Sequence, residues 1–268
     1  MGGIRYDRDS NEIDHETFMF EDEITSDNIS PKLAIEYQFN ENLMTYLSAS
    51  KGYKSAGFYP FAAAGYPKSY ESESLWSYEA GFKGEMLDDK LLLNADIYYM
   101  DLSDMQVITQ VSPVAGYISN AASASSLGFE IDANYTLTKH FVLFASIGYN
   151  ETKFDEFQDA LGSYTDNYTP FAPKYNYSLG GIFRGIGGLY VSANVVGYGK
   201  MYLDTANIAC QDAYALVNAK IGYEWDNVDI YVYADNLFNK NYDTKGYFGS
   251  YVMINPEREI GLRLNWRF

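Results

Sequence analysis

Cysteine and histidine are nearly missing from this 268-residue chain: Cys210 stands alone, and His15 and His140 are the two histidines. One cysteine excludes an internal disulfide framework. Neither histidine belongs to a Ser-containing motif that would set it up as a general base, which weighs against a hydrolase. Cations are scarce as well. The 19 Lys and Arg against 36 Asp and Glu give a formal charge of −17 and a sequence pI near 4.4, which disfavours a nucleic-acid partner on electrostatic grounds. No segment approaches the ~18 uninterrupted apolar residues of a transmembrane helix. The opening residues, Met1 to Tyr6, carry no apolar core and no cleavage site, so no export leader is read there.

Tyrosine and period-two patterning are abundant. Aromatics make up 17% of the chain, with 27 Tyr against 16 Phe and 3 Trp, and Tyr suits both strands and membrane interfaces. From Ile260 the alternation is unbroken: Ile260, Leu262, Leu264, Trp266 and Phe268 share one face, and Gly261, Arg263, Asn265 and Arg267 the other. An apolar face that ends in Trp and a terminal Phe reads as a lipid-facing strand with an interfacial aromatic girdle. The pattern recurs. Trp76, Tyr78, Ala80 and Phe82 oppose Ser77, Glu79 and Lys83; Leu127, Phe129, Ile131 and Ala133 oppose Glu130, Asp132 and Asn134; Val217, Ala219 and Ile221 oppose Asn218 and Lys220. Charges in the middle of polar faces suit a water-filled lumen better than a dry core. Hydrophobic content of 47% and mean hydropathy of −0.28 do not discriminate, because a barrel averages its two faces.

The patterning predicts twelve strands, near residues 3–9, 30–38, 43–53, 75–86, 90–103, 126–137, 140–152, 174–185, 189–200, 213–225, 228–239 and 257–268. Connections alternate in length. Those at 39–42, 87–89, 138–139, 186–188 and 226–227 are short; those at 10–29, 54–74, 104–125, 153–173, 201–212 and 240–256 are long. Strict short–long alternation is what a transmembrane barrel with periplasmic turns and extracellular loops produces.

Four stretches bring a family into view: GGIRYDRD at the start, SPKLAIEYQFNENLMTYLSASKGYKSAGF from Ser30 to Phe58, ADNLFNKNYDT from Ala234 to Thr244, and PEREIGLRLNWRF from Pro256 to Phe268. In these the chain resembles the C-terminal half of a TonB-dependent outer-membrane receptor of the type that imports iron complexes. The resemblance implies an all-β fold, with residues 1–268 forming about twelve strands of an antiparallel barrel of roughly 22 strands with a plugged lumen. The plug domain and the first strands have no counterpart in the chain. Together with the missing leader, this gives the expectation that the chain begins within a longer protein.

The resemblance further implies residence in the bacterial outer membrane and energy-coupled import of a scarce ligand, most often a ferric siderophore. Its implied partners are the lipid bilayer, the barrel-assembly machinery and a TonB-type periplasmic energiser reached through the missing N-terminal part. No cofactor or resident metal is implied. Related receptors import cobalamin, haem or glycans, and a small complete outer-membrane channel is a further alternative. An outer-membrane barrel hydrolase and a secreted β-sandwich binding module are two other classes; the placement of His15 and His140 without a Ser-containing motif speaks against the first, and the loop asymmetry and the terminal Phe against the second.

Candidate site residues follow. Phe58, Tyr59, Phe61, Tyr66 and Tyr70 sit among small residues in the 54–74 loop, where rings at a barrel mouth could stack on a chelating ligand, although rims carry aromatics in any case. Leu264, Trp266 and Phe268 form the candidate assembly signal. Asp155, Glu156, Asp159 and Asp166, with Glu21, Asp22 and Glu23, supply oxygens of the kind calcium takes, but lack EF-hand spacing and read equally as solvated faces. Arg184, Lys220, Arg263 and Arg267 are expected to line the lumen, where they could attract an anionic chelate or, the favoured reading, pair with Glu130 and Asp132.

Overall fold

The computed structural model describes residues 1–247, 251–254 and 257–267. In chain order its strands are β1 Gly2–His15, β2 Phe20–Asn40, β3 Leu43–Lys54, β4 Gly57–Phe58, β5 Ser69–Tyr70, β6 Glu73–Met86, β7 Leu91–Ser112, β8 Ala115–Thr138, β9 Phe141–Glu156, β10 Tyr175–Arg184, β11 Leu189–Tyr198, β12 Met201–Tyr202, β13 Cys210–Gln211, β14 Tyr214–Glu224, β15 Val228–Asp235, β16 Asp243–Tyr247, β17 Tyr251–Ile254 and β18 Glu259–Trp266. Twelve of them form one antiparallel sheet in the order β1-β2-β3-β6-β7-β8-β9-β10-β11-β14-β15-β18, and the other six pair as the ribbons β4/β5, β12/β13 and β16/β17. The twelve wall strands are those the alternation predicts. Among the described residues β1 and β18 do not pair with each other, so the wall is open along both edges.

Register fixes which side chains share a face. One row runs Leu33, Ala49, Tyr78, Tyr99, Leu127 across five neighbouring strands, and its members belong to the outer, apolar face. That face is bare: Leu33 is 59% exposed, Ile97 61% and Leu264 63%. A continuous apolar band of this kind needs a hydrocarbon solvent. The opposite face carries Tyr46, Asp96, Glu130, Asn194, Lys220 and Arg263, and its tyrosines reach carboxylates. Tyr190 Oη donates to Asp229 at 2.8 Å, Tyr233 Oη to Glu259 at 2.6 Å, and Tyr46 Oη to Glu79. Some of these rings lie flat over a glycine of the next strand. A Cβ on Gly222 would stand 2.6 Å from the Tyr190 ring, and one on Gly81 2.7 Å from Tyr46, so the close approach requires glycine at both positions.

Two of the expected long loops are not loops. The 10–29 segment continues the β1–β2 ladder in register down to His15 opposite Phe20, with a single 3-10 turn, Glu16–Phe18, between them. The 104–125 segment continues β7 and β8 to Ser112 opposite Ala115. β7 and β8 therefore run for 22 and 24 residues, about twice the ~9–11 needed to cross a bilayer. Their outer halves lie beyond the membrane, where one face packs locally against the 153–173 loop instead of hydrocarbon, so no continuous apolar face marks them in the sequence. That packing forms the one buried hydrophobic cluster among the described residues, Val107, Ala122, Ala124, Phe154, Phe157 and Tyr164.

Candidate functional site: the loop rim and the lumen face

The 55–72 connection folds back as the β4/β5 ribbon, with Gly57 opposite Tyr70 and Phe58 opposite Ser69. Polar contacts from the neighbouring hairpins fix it. Gln106 Nε2 donates to the carbonyls of Ser55 (2.9 Å) and Glu71 (3.0 Å), Asn120 Nδ2 to that of Glu71 (2.8 Å), and Asn11 Nδ2 to that of Ala56 (2.8 Å). The five candidate rings then divide. Phe58 meets Phe20 edge-on at 5.8 Å, Tyr59 lies 6.0 Å from Phe61, and Phe61 lies 6.2 Å from the His15 ring, all at the tip of the β1–β2 hairpin. Tyr66 stacks on Tyr117 at the tip of β7–β8, 4.8 Å away, and Tyr70 folds over Gly57 inside the ribbon. Phe61 and Tyr66 keep large exposed faces. Lys68 Nζ stands 4.5 Å over the Phe20 ring. The rim thus recruits His15, Phe20 and Tyr117, which sequence reading left out because it ended their strands early; the aromatic-rich tip from His15 to Phe20 was the available signal.

Two carboxylates of the acidic outer loop are engaged by its own surroundings. Asp159 accepts the Gln110 N–H at 3.0 Å, the Leu161 N–H at 2.8 Å, the Gly162 N–H at 3.3 Å and the Tyr164 hydroxyl at 3.0 Å. Asp155 accepts the Ser125 hydroxyl at 2.8 Å. Among the described residues no group of three ligating side chains could hold a metal. Burial pushes the Tyr164 hydroxyl up to about 12, with the Asp159 carboxylate adding to the effect.

On the lumen face the expected ion pairs form differently. Arg184 and Arg267 both approach Glu224, at 3.2 and 3.7 Å. Lys220 sits over the Tyr190 and Tyr231 rings at 5.3 and 4.8 Å, and Arg263 donates to the Tyr231 hydroxyl at 3.4 Å. Glu130 stands opposite Asp96 and Asp132 opposite Asn94, on β7 and β8, several strands away. Arg184 and Glu224 are instead brought together through β11, whose Tyr190 faces Arg184 in register on one side, while its Leu189 meets Tyr223 on the other. His140 lies beside a short turn, its Nδ1 2.7 Å from the Arg184 carbonyl, whereas His15 is at the opposite, long-loop end, so the two histidines do not form one site.

Residues 1–237 match the family profile described as TonB dependent receptor-like, beta-barrel. The chain belongs to the TonB-dependent receptor β-barrel family. It is 28% identical over 276 residues to the pesticin receptor of Yersinia pestis, covering 97% of this chain and 40% of that receptor, and 26% identical over 271 residues to the ferrioxamine receptor of Yersinia enterocolitica, covering 98% and 37%. It superposes on the ferric yersiniabactin uptake receptor FyuA from Yersinia pestis with a TM-score of 0.79 at 27% identity, over 100% of this chain and 42% of that one. The siderophore receptor PiuA from Acinetobacter baumannii shares the fold, with a TM-score of 0.78 at 22% identity. The chain therefore spans about two-fifths of the length of the curated relatives it matches.

In a TonB-dependent barrel the bare apolar face contacts the outer membrane, the short turns face the periplasm and the long hairpins project outward. On β18, Leu264 lies opposite Ile230 and Trp266 opposite Val228, both on the lipid side, while Arg263 lies opposite Tyr231 on the lumen side. Phe268 falls outside the described residues.

Proposed function

We propose that this chain forms the C-terminal part of the wall of an outer-membrane receptor that imports a ferric siderophore, the import being powered by a separate TonB-type periplasmic energiser acting through a plug that these residues do not include. The carrying observation is a pair of ring groups along the extracellular mouth of an open wall, Phe58 and Phe61 with Phe20 at the β1–β2 tip and Tyr66 with Tyr117 at the β7–β8 tip. Rings held at fixed separations by backbone-anchored loops offer stacking surfaces to a chelate with aromatic or conjugated arms. The similarity to a ferrioxamine receptor, a probable siderophore receptor and a ferric yersiniabactin uptake receptor supports iron complexes over cobalamin, haem or glycans. The same reading treats residues 1–268 as one barrel unit, gives Leu264, Trp266 and Phe268 the role of an assembly signal, and assigns no catalytic chemistry.

A small complete channel is disfavoured by the two unpaired edge strands, whose free amides and carbonyls find no water in hydrocarbon. The test is uptake of radiolabelled iron by cells with and without the natural protein, offered as catecholate, hydroxamate and phenolate complexes. Uptake of one class that requires the protein and stops when the proton-motive force is collapsed is the expected result. Unchanged uptake of all three would overturn the reading.

A further inference from the structure

Lysines are rare in this acidic chain, yet three of them converge on one spot. Lys153 Nζ and Lys174 Nζ stand 5.0 and 4.2 Å from the centre of the Tyr168 ring, and Lys200 Nζ stands 5.0 Å from that of Tyr202. The two rings are stacked on each other at 5.8 Å and 17°. Tyr168, Ala172, Lys174, Lys200 and Tyr202 enclose a cavity of about 250 Å³. The loop backbone is fixed around it: the Phe171 N–H donates to the Tyr202 carbonyl at 2.8 Å, and Asn207 Nδ2 to the Tyr168 carbonyl at 2.8 Å. One carboxylate is bonded to the group among the described residues. Glu151 lies 2.7 Å from Lys153 Nζ and accepts the Tyr168 hydroxyl at 3.1 Å. Three ammonium groups against one carboxylate leave a local surplus of two positive charges.

Register settles the face for Lys153 and Tyr168. Glu151 lies opposite Leu127 and Tyr149 opposite Phe129, so Glu151 belongs to the outer, lipid-side row; Lys153 is two residues further along that face, and Tyr168 pairs with it. Tyr149, Phe129 and Tyr175 mark the outer aromatic girdle. Lys153 is four residues beyond Tyr149, about 13 Å along the strand, which is headgroup level in the outer leaflet. Lys174 and Lys200, which lie outside the paired strands, join it through the stacked Tyr168 and Tyr202 rings, and the cluster is placed outside the barrel with Lys153, away from the lumen face that carries Arg184, Lys220 and Arg263.

We propose that Lys153, Lys174 and Lys200 form a binding site for a phosphate group, positioned to hold the phosphorylated headgroup of an outer-leaflet lipid. A phosphate monoester carries up to two negative charges and several acceptor oxygens, which matches the surplus charge and the three multi-donor ammonium groups. The stacked tyrosines hold the lysine stems and supply a hydroxyl edge, and basic pockets on membrane proteins at this depth recognise lipid headgroups electrostatically. This goes beyond the transport reading and does not depend on it.

The natural protein containing this chain is purified in detergent, and its affinity is measured for bisphosphorylated lipid A, for the same lipid with its phosphates removed, and for inorganic phosphate. The wild type is expected to bind the phosphorylated lipid at least tenfold more tightly than the dephosphorylated one. The triple variant Lys153→Gln, Lys174→Gln, Lys200→Gln is expected to lose at least tenfold, while the triple Lys→Arg variant retains binding; heat-modifiable migration confirms that both are folded. Saturation by inorganic phosphate at the same concentration as the lipid would keep the anion site and remove the lipid as its occupant. Equal binding of phosphorylated and dephosphorylated lipid, or an unaltered affinity in the folded Gln variant, would overturn the proposal.

Discussion

Tyr66 and Tyr117 stack with ring centroids 4.8 Å apart and planes 25° from parallel, and through this pair the β4/β5 loop is clipped to the tip of the β7–β8 hairpin. The Ala63 N–H donates to the Gly116 carbonyl at 2.9 Å beside it. An aromatic pair of this kind is worth ~0.5–1.5 kcal/mol beyond its burial. Tyr117→Ala should therefore free the loop without unfolding the wall. Limited proteolysis should cut near residues 60–68 several-fold faster in the variant, while the barrel keeps its heat-modifiable migration. An unchanged cleavage rate would mean that the polar anchors from Gln106 and Asn120 suffice alone.

The lipid face makes a sharper contrast. Leu264 and Arg263 are chain neighbours that face opposite sides of β18, one opposite Ile230 and the other opposite Tyr231. An arginine on the lipid face near the midplane costs ~2–4 kcal/mol, whereas a leucine in the lumen replaces an exposed guanidinium whose contact to Tyr231 is long, at 3.4 Å. Leu264→Arg should lower the unfolding free energy in lipid vesicles by ~2–4 kcal/mol and Arg263→Leu by much less. Equal losses would mean that the faces have been assigned the wrong way round.

The wall was legible in the sequence because hydrocarbon imposes the pattern. Where one face must be apolar, as at Leu127, Phe129 and Ile131 against Glu130 and Asp132, period two is forced and all twelve strands show it. Above the membrane there is no hydrocarbon, burial is local, as at Val107, Ala122 and Ala124, and the strict alternation is no longer imposed. That is why the β1–β2 and β7–β8 extensions read as loops, and why His15, Phe20 and Tyr117 were missed at the rim. The lumen pairs were misjudged for a different reason: Arg184 and Glu224 are 40 residues apart in sequence, and composition alone does not say which carboxylate a register shift will bring near. The three lysines of the outer pocket are likewise scattered, at 153, 174 and 200, and only the return of the 157–174 loop onto β9 brings them together.

The outer hydrophobic cluster should respond to alkaline pH. Tyr164 is buried against Phe157 at 5.2 Å, and burial first, then its hydrogen bond to Asp159 and the charge of Asp204, raise its hydroxyl from the ordinary 10 to about 12. A raised folded value means that the neutral phenol is favoured by the fold, so its contribution is complete below pH 10 and is lost as pH climbs through about 12. Tyr164→Phe should be less stable than wild type near neutrality, by ~1 kcal/mol for the lost hydrogen bond, and the gap should close between pH 10 and 12. Thermal unfolding of the two proteins across that range reads it directly. A gap that stays constant would show that the hydroxyl ionises alike in the folded and unfolded protein, so that the fold does not raise its value.

The open edges carry the last expectation. β1 and β18 each present an unpaired row of backbone amides and carbonyls, which in water invites pairing with other chains and in hydrocarbon is not tolerated. Burying both edges requires further strands, and relatives more than twice as long as this chain have room for them. The 268-residue chain refolded by itself should therefore form ill-defined oligomers in detergent, whereas the same residues with native partners for both edges should give a monomeric barrel. Size-exclusion chromatography distinguishes the two, and planar-bilayer recording adds a stricter criterion. A discrete, reproducible conductance from the isolated chain would show that β1 and β18 can meet each other, and the wall would then have to be read as a small pore in its own right.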